Sequence, residues 1–299
     1  MFLEEKQLVR RLGPTHGVRQ KEWWFTYLFD RRAGLYMSWS FARSFLVDKF
    51  RLWVCDLASG ASESLDYTLY LDPRQRPGAL DLRARSGDLA VVHEGEDGRA
   101  RFELTTPRVA AALDFRRSPA PFVRRDNHFT EHYTLLHTFH DRVRGTVLAL
   151  GREYQIDAAL SYHDHCFGKV PSRMGWQWLA AQSESTAIAS LYNHGPAPQR
   201  YTQLFLDGEW HRLSPDVHFD YDPGDLLAPW RLTSTELDLE IRPLHLHRDH
   251  VSIPRALPLL VNLQHNELCV EARGTARIRG RERAIEGLVG VVEEHFGRW

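Results

Sequence analysis

Two short segments of this 299-residue chain concentrate residue types that can move protons. The first is Ser161-Tyr162-His163-Asp164-His165-Cys166-Phe167-Gly168, which joins a phenol, two imidazoles, a carboxyl group and a thiol without a break. On a strand, successive side chains alternate, so His163 and His165 take one face and Tyr162, Asp164 and Cys166 the other. An aspartate or a neighbouring histidine facing an apolar cavity would act as an acid there. Burial disfavours the carboxylate and keeps the group protonated near neutral pH. Metal binding would pair His163 and His165 with a third ligand from His245, His247 or His250. No matching carboxylate accompanies these histidines, and no metal is expected. The plain alternative is a polar network that closes one end of a barrel.

The second segment is Glu22-Trp23-Trp24-Phe25, a carboxyl group beside three large aromatics. As packing, one tryptophan would plug a barrel floor. As chemistry, Glu22 or a tryptophan would meet the ligand, since aromatic faces hold polyenes and stabilise cationic character. Trp176 and Trp178 share one strand face, for core packing or for lining a flat apolar ligand. The stretch His245-Leu246-His247-Arg248-Asp249-His250 reads as the wet face of a strand.

Several common chemistries have no support. The chain contains no GxSxG elbow, no Walker loop, no GxGxxG turn and no HExxH helix. Its only lysines are Lys6, Lys21, Lys49 and Lys169, which leaves little room for Schiff-base chemistry. No cofactor is expected. A formal net charge of −1 provides no global field for nucleic acid or acidic membranes. No apolar run approaches the roughly 20 residues of a membrane helix. The opening Met1-Phe2-Leu3-Glu4-Glu5-Lys6 lacks the order of a signal peptide, and three cysteines form no paired framework. A reduced cytoplasm is the expected location, and the oligomeric state is open.

The elements that must position these residues are strands. After a helical-looking lead over Phe2 to Leu12, alternation with period two dominates. Leu35, Met37, Trp39 and Phe41 share one face, and Leu237, Leu239 and Ile241 alternate with charged residues. Asp97-Gly98 and Asp207-Gly208 fit type I′ hairpin turns. The expectation is a mainly β protein of antiparallel barrels or sandwiches. The length suggests two domains, and the interruption at Lys169-Val170-Pro171-Ser172 places them at 1–170 and 171–299. No internal repeat is convincing in the sequence.

Taken together, these segments resemble the carotenoid hydratase (hydroxyneurosporene synthase) and AttH-like family. Glu22-Trp23-Trp24-Phe25 resembles its EWWY/EWWF opening. Tyr162 to Gly168, followed by Trp176-x-Trp178, resembles its YHDHNWG…WxW centre. Gly290-Val291-Val292-Glu293, within Gly287 to Gly297, resembles its closing strand. The resemblance spans nearly the whole chain and departs where Cys166-Phe167 stands for Asn-Trp. It implies two consecutive lipocalin-like barrels with an apolar cavity, in proteins that hydrate alkenes or cyclise polyenes without a cofactor. The leading expectation is a cofactor-independent, Diels–Alderase-like cyclase of a polyunsaturated apolar intermediate. Hydration of an alkene and non-catalytic carriage are the alternatives. Asp164 is the expected acid, supported by His163, His165 and Tyr162, with Glu22 and Glu293 behind it. Trp23, Trp24, Phe25, Phe167, Trp176 and Trp178 are expected to line the substrate cavity.

Overall fold

A computed structural model describes residues 20–298 apart from 44–47, 70–79, 97, 119–121, 127–133, 170–172, 195–198 and 253–261. The expected lead helix lies outside the described residues. Among the described residues there are twenty strands and no helix. They fall into two compact units, 20–169 and 173–298.

The first unit contains β1 (Gln20–Asp30), β2 (Leu35–Arg43), β3 (Asp48–Asp56), β4 (Ser62–Leu69), β5 (Leu80–Ser86) and β6 (Leu89–Glu96). It continues with β7 (Arg99–Thr105), β8 (Ala110–Arg116), β9 (Phe122–Asp126), β10 (Thr134–Ala149) and β11 (Arg152–Lys169). The sheet order is β4-β3-β2-β1-β11-β10-β8-β7-β6-β5, with β9 also on β10. All pairings are antiparallel, and the first strand binds both the second and the last. That pairing curls the sheet around Trp39, Phe41, Phe50, Phe102 and Phe115.

The second unit contains β12 (Arg173–Gln182), β13 (Ala187–Asn193), β14 (Gln199–Leu206), β15 (Glu209–Arg212) and β16 (His218–Asp220). It ends with β17 (Trp230–Ser234), β18 (Leu237–Ser252), β19 (Asn262–Ile278) and β20 (Arg281–Arg298). The order β15-β14-β13-β12-β20-β19-β18-β17-β16 repeats the plan, with the first strand again beside the last. Leu179, Ile188, Leu204, Trp230, Leu268 and Val292 fill this core.

The two units are structural duplicates, a relation the sequence hides. In each, the strand before the last carries a bulge glycine, Gly145 or Gly274, paired with an isoleucine of the closing strand, Ile156 or Ile285. Both glycines have positive φ (141° and 158°), and a Cβ on either would lie 2.0 Å from a carbonyl oxygen of the neighbouring strand. Only glycine fits such a bulge.

The alternation seen in the sequence holds where one face meets water. Leu237, Leu239 and Ile241 are buried while Asp238, Glu240 and Arg242 are exposed. The Asp207-Gly208 turn has positive φ at both residues (55° and 84°), as a type I′ hairpin requires. Strands β1, β2 and β11 differ, for long stretches of them are buried on both faces, Tyr36 and Ser38 included. A sheet with no wet face must satisfy its polar side chains internally. The candidate site lies in this doubly covered patch.

Candidate functional site

Cross-strand partners in an antiparallel pair point to the same side. Trp24 pairs with His165 and Thr26 with His163, so both histidines face the core of the first unit. Phe25 pairs with Asp164 and Tyr27 with Tyr162, which puts the acid and the phenol on the opposite face. One strand therefore serves two separate polar groups.

On the core side, His165 Nε2 lies 2.9 Å from Glu22 Oε1, and both residues are almost fully buried (1% and 2% exposed). The Trp24 ring stacks on His165 with centroids 4.7 Å apart. Thr26 Oγ1 is 2.8 Å from His163 Nδ1. His163 Nε2 is buried and has no hydrogen-bond partner among the described residues. The His93 ring stands edge-on to His163 at 5.8 Å, and Trp39 Nε1 donates to His93 Nδ1 over 3.5 Å.

Burial pushes the His93 imidazole down to about 3, helped by the Arg117 cation. Burial, then Arg117 and the neighbouring imidazoles, hold His163 well below the ordinary histidine range. Both are neutral bases inside an apolar barrel. Acid should therefore weaken the fold. An unfolded imidazole titrates near 6.5, whereas folded His93 does so at about 3. Between those values the unfolded chain binds a proton that the folded chain refuses. Stability is complete above about pH 6.5 and falls by about 1.4 kcal/mol per pH unit per imidazole below it. Urea unfolding at about pH 7 and about pH 5 should show a lower midpoint in acid, and His93→Phe should flatten the difference. Equal midpoints in the unsubstituted protein would contradict this assignment.

On the opposite face, the Tyr162 hydroxyl lies 3.1 Å from Asp164 Oδ2 and 2.5 Å from His137 Nδ1. Cys166 Sγ is 3.6 Å from Asp164 Oδ1. The walls are aromatic. The Tyr27 ring stacks on Tyr162 at 5.4 Å, Phe139 tilts against it at 4.7 Å, and Phe25 stands 6.4 Å away. The result is a carboxyl, a phenol and an imidazole joined in a line within a buried aromatic cluster, an arrangement that can hold and transfer a proton. His137 was not singled out in the sequence. It belongs to β10 and pairs in register with Asp164, a pairing that no local pattern announces.

Of the sequence-predicted residues, Glu22, Trp24, His163 and His165 meet on the core side, while Trp23, Phe25, Tyr162 and Asp164 share the other face. The Phe167 side chain lies outside the described residues. Trp176, Trp178 and Glu293 belong to the second unit. There Trp176 Nε1 donates to Glu293 Oε2 over 3.1 Å, His265 Nε2 is 3.6 Å from Glu293 Oε1, and Trp176 stacks on His295 at 3.8 Å. Glu293 follows Ile285 at the same interval as Asp164 follows Ile156, so the two acids hold equivalent places in the duplicated plan. Among the described residues no three histidine, cysteine, aspartate or glutamate side chains group as metal ligands. A groove of about 980 Å³ in the second unit is lined by Asp220, Tyr221, Trp230, Arg231, Glu240 and Arg273 among others. Both arginines are engaged by carboxylates, with Asp238 and Glu240, so this surface is charged and contains none of the predicted residues.

Residues 5–299 match the family described as Domain of unknown function (DUF2804). The chain belongs to that family. No curated protein matches it. Among solved structures it is similar to a protein assigned as an AttH from Nitrosomonas europaea, with 15% identity, 95% of each chain covered and a TM-score of 0.66. It is likewise similar to kievitone hydratase from Nectria haematococca, with 12% identity, 93% of this chain and 88% of that one covered, and a TM-score of 0.66. At these identities the likeness is one of fold. The DUF2804 chain has the two lipocalin-like antiparallel barrels that the AttH-like resemblance implied. Among its described residues no helix is long and apolar enough to cross a membrane.

Proposed function

We propose that this protein is a cofactor-independent hydratase that adds water to an alkene of a largely apolar small molecule, with Asp164 as the proton donor. The observation that carries the reading is the buried line Asp164–Tyr162–His137 among aromatic rings. Alkene hydration needs an acid strong enough to protonate carbon, surroundings that tolerate a cation, and a base for the proton that water must lose. Asp164 transfers its proton to one alkene carbon, forming a C–H bond and leaving the other carbon cationic. The faces of Phe25 and Tyr27 stabilise that charge. A water oxygen bonds to the cation, and its surplus proton returns to the Asp164 carboxylate, which restores the catalyst.

Ring closure of a polyene by positioning alone calls for a shaped cavity and little proton chemistry. Three hydrogen-bonded titratable groups are more than it requires, which favours hydration over the cyclase expected from the sequence. The fold likeness to a protein named as a hydratase agrees with this choice. The test is incubation with a panel of acyclic polyenes in ¹⁸O-labelled water, followed by mass spectrometry. A product heavier by one labelled water is expected. An unlabelled product of unchanged mass with a new ring would replace hydration by cyclisation. A tightly bound but unaltered polyene would leave a carrier.

A further inference from the structure

Along the closing strand of the second unit, the core side turns polar two residues after Val292. Glu294 pairs in register with Gln177 of β12 and Asn266 of β19, and Gln177 pairs in turn with Tyr192 of β13. The four side chains therefore face one way. That way is inward, because Leu179, Leu268 and Val292, two residues away on the same strands, fill the core. In the first unit the place of Glu294 belongs to His165, whose register partners are Trp24 and Leu136. Where the first unit sets two apolar residues, the second sets two amides.

The hydrogen bonds at this level leave one buried acceptor unmet. The Tyr221 hydroxyl donates to Glu294 Oε1 over 2.5 Å, and Asn266 Nδ2 donates to Oε2 over 2.8 Å. Gln177 Nε2 donates to the Tyr221 oxygen over 3.1 Å, and its Oε1 meets His194 Nε2. An amide turns one end to a given neighbour, so with Nδ2 on Glu294 the Asn266 Oδ1 faces elsewhere. Asn266 is 1% exposed, and its Oδ1 is buried without a hydrogen-bond partner. Such an acceptor weakens the fold, and native structures retain few of them.

The surroundings favour an apolar visitor. The core ends here in Tyr192, Tyr221 and Leu246, which are half-buried, so the barrel opens to solvent at this end. Phe296, on the same side two residues beyond Glu294, stands exposed, and its ring lies over Gly175, where a Cβ would come within 2.6 Å. Charge narrows the choice further. Exposed Arg200 stands over the Tyr192 ring at 4.0 Å, and exposed Arg248 is the register partner of Asn266. Both oppose a cation at this end, and the Glu294 carboxyl opposes an anion. Burial, then Arg200, hold His194 below the ordinary histidine range, so it adds no charge at neutral pH.

We propose that this end of the second barrel binds a small, uncharged, largely apolar molecule through one hydroxyl group, which donates to Asn266 Oδ1. The side chains covering Oδ1 must part to admit it. All the residues of the site belong to the second unit, and the inference does not rest on the reaction proposed for Asp164.

Calorimetric titration of the whole chain with para-pentylphenol and with its methyl ether, para-pentylanisole, tests this. The phenol should bind about tenfold more tightly, the worth of one hydrogen bond. Asn266→Leu should erase that preference, and Asp164→Asn should retain it. Crystals soaked in para-bromophenol supply a reading that needs no variant, should Asn266→Leu fail to fold. The bromine signal is expected inside the second barrel, with the phenol oxygen in hydrogen-bond reach of Asn266 Oδ1. Equal affinity for phenol and ether overturns the proposal. So does a preference that survives in folded Asn266→Leu or disappears in Asp164→Asn, and so does a map with water alone at Oδ1.

Discussion

Asp164→Asn is expected to keep its fold and to lower turnover about 10²–10⁴-fold, the range typical of losing a general acid. Asparagine matches the carboxyl in shape, and its amide oxygen can still accept from the Tyr162 hydroxyl, so the packing around Phe25 and Tyr162 survives. What is lost is a proton that can be given to carbon. The comparison should be made on protein whose melting curve matches the parent, with Glu22→Gln and Glu293→Gln alongside. A catalyst working mainly by holding its substrate in a reactive shape would lose only about tenfold, because positioning survives the change. Full activity in Asp164→Asn with collapse in either glutamate variant would move the acid to the core side of the first unit or to the second unit.

The second large effect concerns stability. Glu22 and His165 are buried together at 2.9 Å, and removal of one takes a hydrogen bond from the other inside an apolar barrel. His165→Ala should lower the unfolding free energy by about 3–5 kcal/mol, the range for breaking a buried pair. It also removes the ring stacked on Trp24. Replacing both residues by apolar side chains of similar volume should be close to neutral, because the desolvation cost disappears with the polar groups. The difference between single and double variants in chemical denaturation measures the coupling. A single substitution costing less than about 1 kcal/mol would mean that water or another group takes over the exposed partner. Together the two predictions assign opposite purposes to the two faces of one strand, chemistry on the Asp164 face and architecture on the His165 face.

The equivalence of Asp164 and Glu293 gives the second unit a place in this comparison. Both acids sit on the closing strand, opposite an aromatic residue of the first strand, Phe25 or Trp178. Their hydrogen-bond partners differ, since Asp164 meets a phenol and Glu293 an indole N–H. An indole N–H can only donate, whereas a phenol can both donate and accept.

Much of the fold was legible in the sequence because its signals are local. The alternation of Leu237, Leu239 and Ile241 with charged residues reports one wet face, and the Asp207-Gly208 dipeptide reports a turn that only positive φ can close. The split of Tyr162 and Asp164 from His163 and His165 followed from the same two-residue period, which belongs to any extended strand. Which groups each face would meet did not follow. Glu22 is separated from His165 by 143 residues, Thr26 from His163 by 137, and His137 from Tyr162 by 25, and each contact exists only because β11 lies between β1 and β10 in one register. A one-residue slip in either pairing would exchange the faces and dissolve both groups. The duplication was hidden for a related reason. Barrel topology needs apolar side chains at alternate positions and glycine at two bulges, and those demands leave most other positions free to diverge. The side-chain period is a property of the local backbone and can be read from neighbouring residues; register is set by packing between distant strands, and only the folded chain decides it.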